Sequence, residues 1–189
     1  MEGAWKKEYT SRDYWNLPKT QRAELIDGQL YDMAPSDLNH QRLISQLVRI
    51  IGNYIVENNG GCEVIPAPFA VDLNADDKRW LEPDVSVICD RNKLTDRGCK
   101  GAPDLIIEVV SLWNRRWDYT TKLTLYSEAG VREYWIVDPV KKCTTVYFFE
   151  KDIVPIVYSF EREIAVGIFD NLKLNIEELL EYQTKGSIN

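Results

Sequence analysis

Hydrophobic and polar positions alternate along this chain with two different periods. Residues 38–57 (LNHQRLISQLVRIIGNYIVE) place Leu43, Ile44, Leu47, Val48, Ile50, Ile51 and Ile55 at helical spacing, which predicts a long amphipathic helix from about Leu38 to Glu57. Asn58-Asn59-Gly60-Gly61 follows and suits a left-handed helix stop. Before that helix, Glu24–Met33 reads as two short strands around Asp27-Gly28, a strong hairpin signal. After it, Cys62–Leu73 reads as one extended strand with proline-marked irregularities. Asp84–Cys89 and Asp104–Val110 are rich in β-branched residues and flank a polar loop, Asp90–Ala102. A second helix is expected over about Tyr119–Ala129, closed by Gly130. Strands are then expected at Glu133–Val137 and Thr144–Phe149, a further pair at Ile153–Phe160 and Glu163–Ile168, and a short helix at Asn175–Glu181. This order implies an α/β or α+β fold: one domain over residues 1–189, with its core at about 20–182, built on a mixed β-sheet flanked by helices.

Composition narrows the classes. Six Trp, ten Tyr and five Phe supply ample apolar area to bury, so the chain is not intrinsically disordered. Its apolar runs are short and interrupted by charge, far below the roughly 20 residues of a membrane span. No basic region followed by an apolar one opens the sequence, and a cytoplasmic location is the expectation. The formal charge of −7 argues against a generic nucleic-acid coat, but not against an enzyme whose metal site itself uses carboxylates. Cys62, Cys89, Cys99 and Cys143 form no CxxC pair, and His40 is the single histidine. Zinc is therefore disfavoured, and the four cysteines are expected to stay reduced.

Glu108 is the anomaly. It lies inside LIIEVV, where a carboxylate must be paired, protonated or given a cation. Alternation puts Leu105, Ile107 and Val109 on one face and Asp104, Ile106, Glu108 and Val110 on the other. A partner Arg or Lys, or an edge position facing solvent, would equally satisfy it. Asp84 follows Pro83 at the start of an apolar strand, one strand-loop-strand unit upstream. On neighbouring strands the two carboxylates would meet, and a divalent cation relieves their repulsion. Hard oxygen donors favour Mg²⁺ or Mn²⁺. Asp104 also follows a proline, but it is about 13 Å along the strand from Glu108 and reads as a strand-start residue. Lys122 lies in the next helix, where it is either a solvated lysine or an ammonium beside a metal-bound water.

These residues carry a resemblance. Pro83-Asp84, Glu108 and a nearby lysine resemble the PD-(D/E)XK nuclease superfamily. The blocks ELIDGQLYDMAPSDLNHQRLI, LEPDVSVICD, GAPDLIIEVVS, RRWDYTTKLTLYSEAGVREYWIVDP and FDNLKLNIEEL resemble the Uma family of restriction-endonuclease-like proteins over about residues 10–182. The resemblance implies that Asp84 and Glu108 bind the metal. The superfamily's lysine position, two after the second acid, is Val110 here; as in the Uma-like family, Lys122 takes its place. The resemblance adds Glu24 as a further acid near the site. It places His40 in a block at the start of the first long helix, where it contacts phosphate or positions water, or else caps and packs the helix. Arg115 and Arg116 would suit substrate phosphates. Ser111-Leu112-Trp113-Asn114 replaces the family's Ser-Pro-Ser step, which alters the loop. Trp113 and Trp117 could stack on bases or pack that loop.

The implied activity is Mg²⁺-dependent hydrolysis of DNA phosphodiester bonds, with a homodimer permitted and not required. The alternative is a non-catalytic DNA-binding or assembly module that retains the nuclease fold. A glycosidase using paired carboxylates has no use for the lysine.

Overall fold

The computed structural model describes residues 7–111, 115–151 and 153–181. Helix α1 (Ser11–Trp15) opens them, held by a capping box in which Thr10 and Asp13 each accept from the other's backbone N–H. Strands β1 (Ala23–Ile26) and β2 (Gln29–Asp32) form the expected hairpin. Asp27 and Gly28 both have positive φ, 46° and 78°, as a two-residue primed turn requires. Helix α2 (Leu38–Glu57) has its predicted bounds. It stops in a Schellman motif: Asn59 is left-handed, and Gly60 N–H donates to Ile55 O at 2.8 Å.

The extended strand expected over Cys62–Leu73 is two strands in different sheets, β3 (Glu63–Pro66) and β4 (Val71–Asp72). Pro66 and Pro68 lack the N–H groups that a continuous ladder needs, and the chain changes sheet there. Strands β5 (Arg79–Leu81) and β6 (Val85–Ile88) follow. The expected loop 90–102 contains a short hairpin, β7 (Leu94–Thr95) and β8 (Gly98–Lys100). Strand β9 (Leu105–Val109) precedes α3 (Arg115–Trp117), a π turn over Asp118–Lys122, and α4 (Leu123–Ala129), which Gly130 closes at φ 87°. Then come β10 (Glu133–Asp138), β11 (Cys143–Phe148), β12 (Ile156–Ser159), β13 (Glu163–Ala165), β14 (Lys173–Asn175) and α5 (Ile176–Glu181). The last expected strand pair is corrected: β12 pairs with β11, and β13 pairs with β14.

The central sheet runs β12-β11-β10-β9-β6-β3, with β9 and β10 parallel. One face packs on α2, through Leu43, Leu47, Ile51, Val85, Leu105, Ile107 and Trp135. The other packs on α4 and on the second sheet, β2-β1-β5-β4-β8-β7, through Ile106, Ile136, Tyr126, Leu81 and Val71. Being covered on both sides, β9 and β10 are buried along their whole length, which explains their nearly unbroken apolar sequences.

The expectation of reduced cysteines is also corrected. Cys62 and Cys89 form a disulfide. They stand one step beyond the pair Glu63↔Ile88 at the end of the β3–β6 ladder, a proximity that a sequence separation of 27 conceals.

Candidate active site

The ladder between β6 and β9 builds the site. Val85 stands opposite Ile107, so one further step brings Asp84 level with Glu108. Alternation then puts both side chains on the α4 face of the sheet. Val109 N–H donates to Asp84 Oδ2 at 2.8 Å, and His40 Nε2 lies 3.0 Å from Oδ1. His40 is carried there by the first turn of α2, whose N-cap Asp37 accepts from the His40 N–H.

Glu108 is 4% exposed. Its Oε1 accepts from Lys122 Nζ at 2.8 Å and from the Tyr126 hydroxyl at 2.7 Å, while Oε2 accepts no hydrogen bond among the described residues. Lys122 is not a solvated helix residue. It is 4% exposed and also pairs with Glu24 at 3.0 Å and Asp118 at 3.8 Å. The π turn makes this possible: Asp118 and Lys122 bound it, and both are buried. Such turns redirect side chains inside a helix and recur at functional sites. Glu24 comes from β1, and its Oε1 accepts the Glu82 N–H at 3.2 Å.

Four carboxylates, Glu24, Asp84, Glu108 and Asp118, therefore surround one ammonium and one imidazole. Burial pushes Glu108 up to about 8 against the pull of Lys122, and the neighbouring acids add to the rise. Burial likewise raises Asp118 to about 7. Burial opposes the charge on Lys122 and on His40, but nearby carboxylates outweigh it and raise both. A polar cavity of about 160 Å³ opens on the cluster, lined by Arg22, His40, Asp84, Glu108, Asp118 and Lys122, among others.

The donor set suits a hard divalent cation. The oxygens outnumber the cationic groups, and Glu108 Oε2 is unfilled. No three His, Cys, Asp or Glu side chains converge on one point among the described residues; Glu24 pairs with Lys122, whereas Glu108 gives Lys122 only its Oε1. Asp84 and Glu108 remain, and one or two carboxylates completed by water and phosphate are what Mg²⁺ ordinarily takes.

The other sequence candidates lie elsewhere. Asp104 accepts from Cys89 N–H at 2.7 Å and from Arg132 Nη1 at 3.1 Å, a paired strand start. Arg116 is exposed and does not line the cavity. The Arg115 side chain and residues Leu112, Trp113 and Asn114 lie outside the described residues. Trp117 packs on Tyr31, with ring centroids 4.5 Å apart. Sequence reading missed Asp118, Tyr126, Glu82 and Arg22. Only the spacing Arg22-x-Glu24, at the start of β1, could have pointed to Arg22; Glu82 lies between β5 and β6 and carried no local signal.

The architecture is a mixed α+β nuclease-like fold. It superimposes on a crystal structure described as "a putative nuclease belonging to DUF820" from Anabaena variabilis, with TM-score 0.74 and 21% identity, covering 92% of this chain and 98% of that one. The chain belongs to the Uma2 family, described as "Putative restriction endonuclease", which it matches over residues 8–177. Two uncharacterised proteins of Synechocystis sp. are similar to it. One is 26% identical over 60% of this chain and 58% of its own length; the other is 27% identical over 80% and 85%. The chain thus spans less than two thirds of the first relative. Among the described residues no helix is long and apolar enough to cross a membrane.

Proposed function

We propose that this protein is a divalent-metal-dependent DNA endonuclease that hydrolyses phosphodiester bonds at the pocket around Glu108. The observation that carries the reading is the meeting of Asp84 and Glu108 on one sheet face, with Lys122 2.8 Å from Glu108, beneath an open polar cavity. Asp84 and Glu108 would hold Mg²⁺ or Mn²⁺. When bound, such an ion polarises the scissile phosphate and makes a bound water acidic enough to yield hydroxide near neutral pH. Lys122 keeps its proton, because three carboxylates face it. It is therefore not the base; it donates a hydrogen bond to the attacking oxygen and offsets charge developing on phosphorus. His40 fixes the Asp84 carboxylate through its Nε2. Tyr126 and Lys122 hold Glu108 by the same oxygen and leave Oε2 for the ion. Attack in line with the 3′ oxygen breaks the P–O3′ bond, leaving a 5′ phosphate and a 3′ hydroxyl.

Nicking of supercoiled plasmid in Mg²⁺ or Mn²⁺ tests this, with wild type, Asp84→Asn and Glu108→Gln purified in parallel. Metal-dependent nicking by the wild type alone supports the reading. Equal nicking by all three identifies a contaminant. No nicking, combined with metal-independent DNA binding that survives both substitutions, supports the non-catalytic module instead.

A further inference from the structure

Arg22 lies at the rim of the same cavity, just before β1 and on the same strand face as Glu24. Its side chain is 39% exposed, whereas that of Glu82 is 11% exposed. Arg22 Nε and Nη2 both donate to Glu82 Oε2, at 3.0 and 2.7 Å. The other Glu82 oxygen accepts from the Tyr14 hydroxyl at 3.2 Å, and the Glu82 backbone N–H is tied to Glu24. Glu82 is thus held from three sides, and the guanidinium inherits that fixed position. Arg22 Nη1 makes no hydrogen bond among the described residues.

A half-exposed ion pair contributes little to stability by itself. What the clamp does provide is a preset guanidinium. A planar fork with unused N–H groups matches the oxygens of a phosphate. The cavity lining carries the acids Asp84, Glu108 and Asp118, and the cationic groups deep in it, Lys122 and His40, are already bonded to carboxylates, so a phosphodiester entering the pocket gains from a further cationic contact at its mouth. We infer that Arg22 binds a DNA phosphate at the mouth of this pocket, with Glu82 and Tyr14 as its positioning residues. The inference rests on the nuclease reading and adds its phosphate-binding group.

The test follows a labelled duplex by fluorescence anisotropy across a salt series, with Ca²⁺ replacing Mg²⁺, alongside plasmid nicking in Mn²⁺. Arg22→Ala should weaken binding about 10-fold and reduce the salt slope by about one phosphate contact, ~0.9. Arg22→Lys should keep the slope, because the charge remains, and still lose nicking rate, because the fork is gone. Glu82→Gln should slow nicking with the salt slope unchanged, and adding it to Arg22→Ala should cause no further loss, as expected of residues acting through one group. Wild-type affinity and slope in Arg22→Ala would overturn the inference and leave the nuclease reading standing. So would a Glu82→Gln effect that simply adds to Arg22→Ala, since Glu82 would then be a structural acid and Arg22 only its partner. A wild type that neither binds nor nicks DNA would overturn both.

Discussion

Glu108 and Glu133 are buried glutamates on adjacent parallel strands of one sheet, 4% and 1% exposed. Burial is the leading cause raising both carboxyl groups. They sit at opposite ends of the β9–β10 pair, where Glu133 is level with Leu105 and Glu108 with Ile136, and they face opposite sides of the sheet. Glu133 accepts from the Trp135 indole N–H at 2.6 Å and from Ile168 N–H at 3.0 Å, and the space beside it is about 10 Å³, no more than one water occupies. A Cβ on Gly167 would come within 2.5 Å of Phe148 and 3.0 Å of Glu133, so the covering loop sits directly against the carboxylate at a position that only glycine fits. Glu108 instead has three other carboxylates nearby, one cation to share and 160 Å³ of open polar space. Burial alone therefore does not mark a functional acid. Neutral donors that close over a carboxylate make it structural; like charges and an open wall make it available to a ligand.

The largest expected effect would break the comparison if it failed. Asp84→Asn or Glu108→Gln should reduce metal-dependent nicking by about 10³-fold or more, because each removes a charge that holds the ion and its activated water. Glu133→Gln should leave the nicking rate within about twofold of wild type. Equal losses at Glu108 and Glu133 would mean that both acids serve only the fold. The second effect is on stability. Lys122→Met leaves Glu24, Glu108 and Asp118 without their ammonium, and urea unfolding at pH 8 should show a loss of about 3–5 kcal/mol. Glu133→Gln should cost about 1–3 kcal/mol in the same assay, since its amide cannot accept every N–H that now meets the carboxylate.

The two regions also differ in how legible they were. Glu108 stood out because a charge interrupts an apolar run, and strand alternation gave its face correctly. Asp84 followed from the proline before it and from strand adjacency. The bounds of α2 were legible because seven apolar positions share one period. Nothing local announced Asp118: RRWDYTTK reads as an ordinary helix start, and the π turn that buries Asp118 beside Lys122 is imposed by packing. The strands β5, β7 and β8 are two or three residues long, too short to show a period. Glu133 was read only as part of a strand, because the backbone donors that close over it come from residues 167 and 168, far along the chain, and its near partner Trp135 reads as an ordinary core residue.

The smallest effect is the linkage between protons, metal and stability. The folded values of about 8 for Glu108 and about 7 for Asp118 lie above the ordinary 4.5 and 3.8. Over that window the folded chain binds more protons than the unfolded one, so stability falls as pH rises from about 4.5 to 8. His40 is raised as well and works in the same direction, losing its contribution as pH climbs through its folded value. A cation binds the deprotonated carboxylates and competes with these protons. Mg²⁺ or Mn²⁺ should therefore stabilise the protein more at pH 8 than at pH 5. At an ion concentration ten times the dissociation constant the gain is about 1.4 kcal/mol, readable as a rise in Tm. Glu133→Gln should keep the whole of that gain, and Asp84→Asn should lose it. A gain that is equal at both pH values, or that survives Asp84→Asn, would place the ion away from this cluster and remove the electrostatic distinction between the two glutamates.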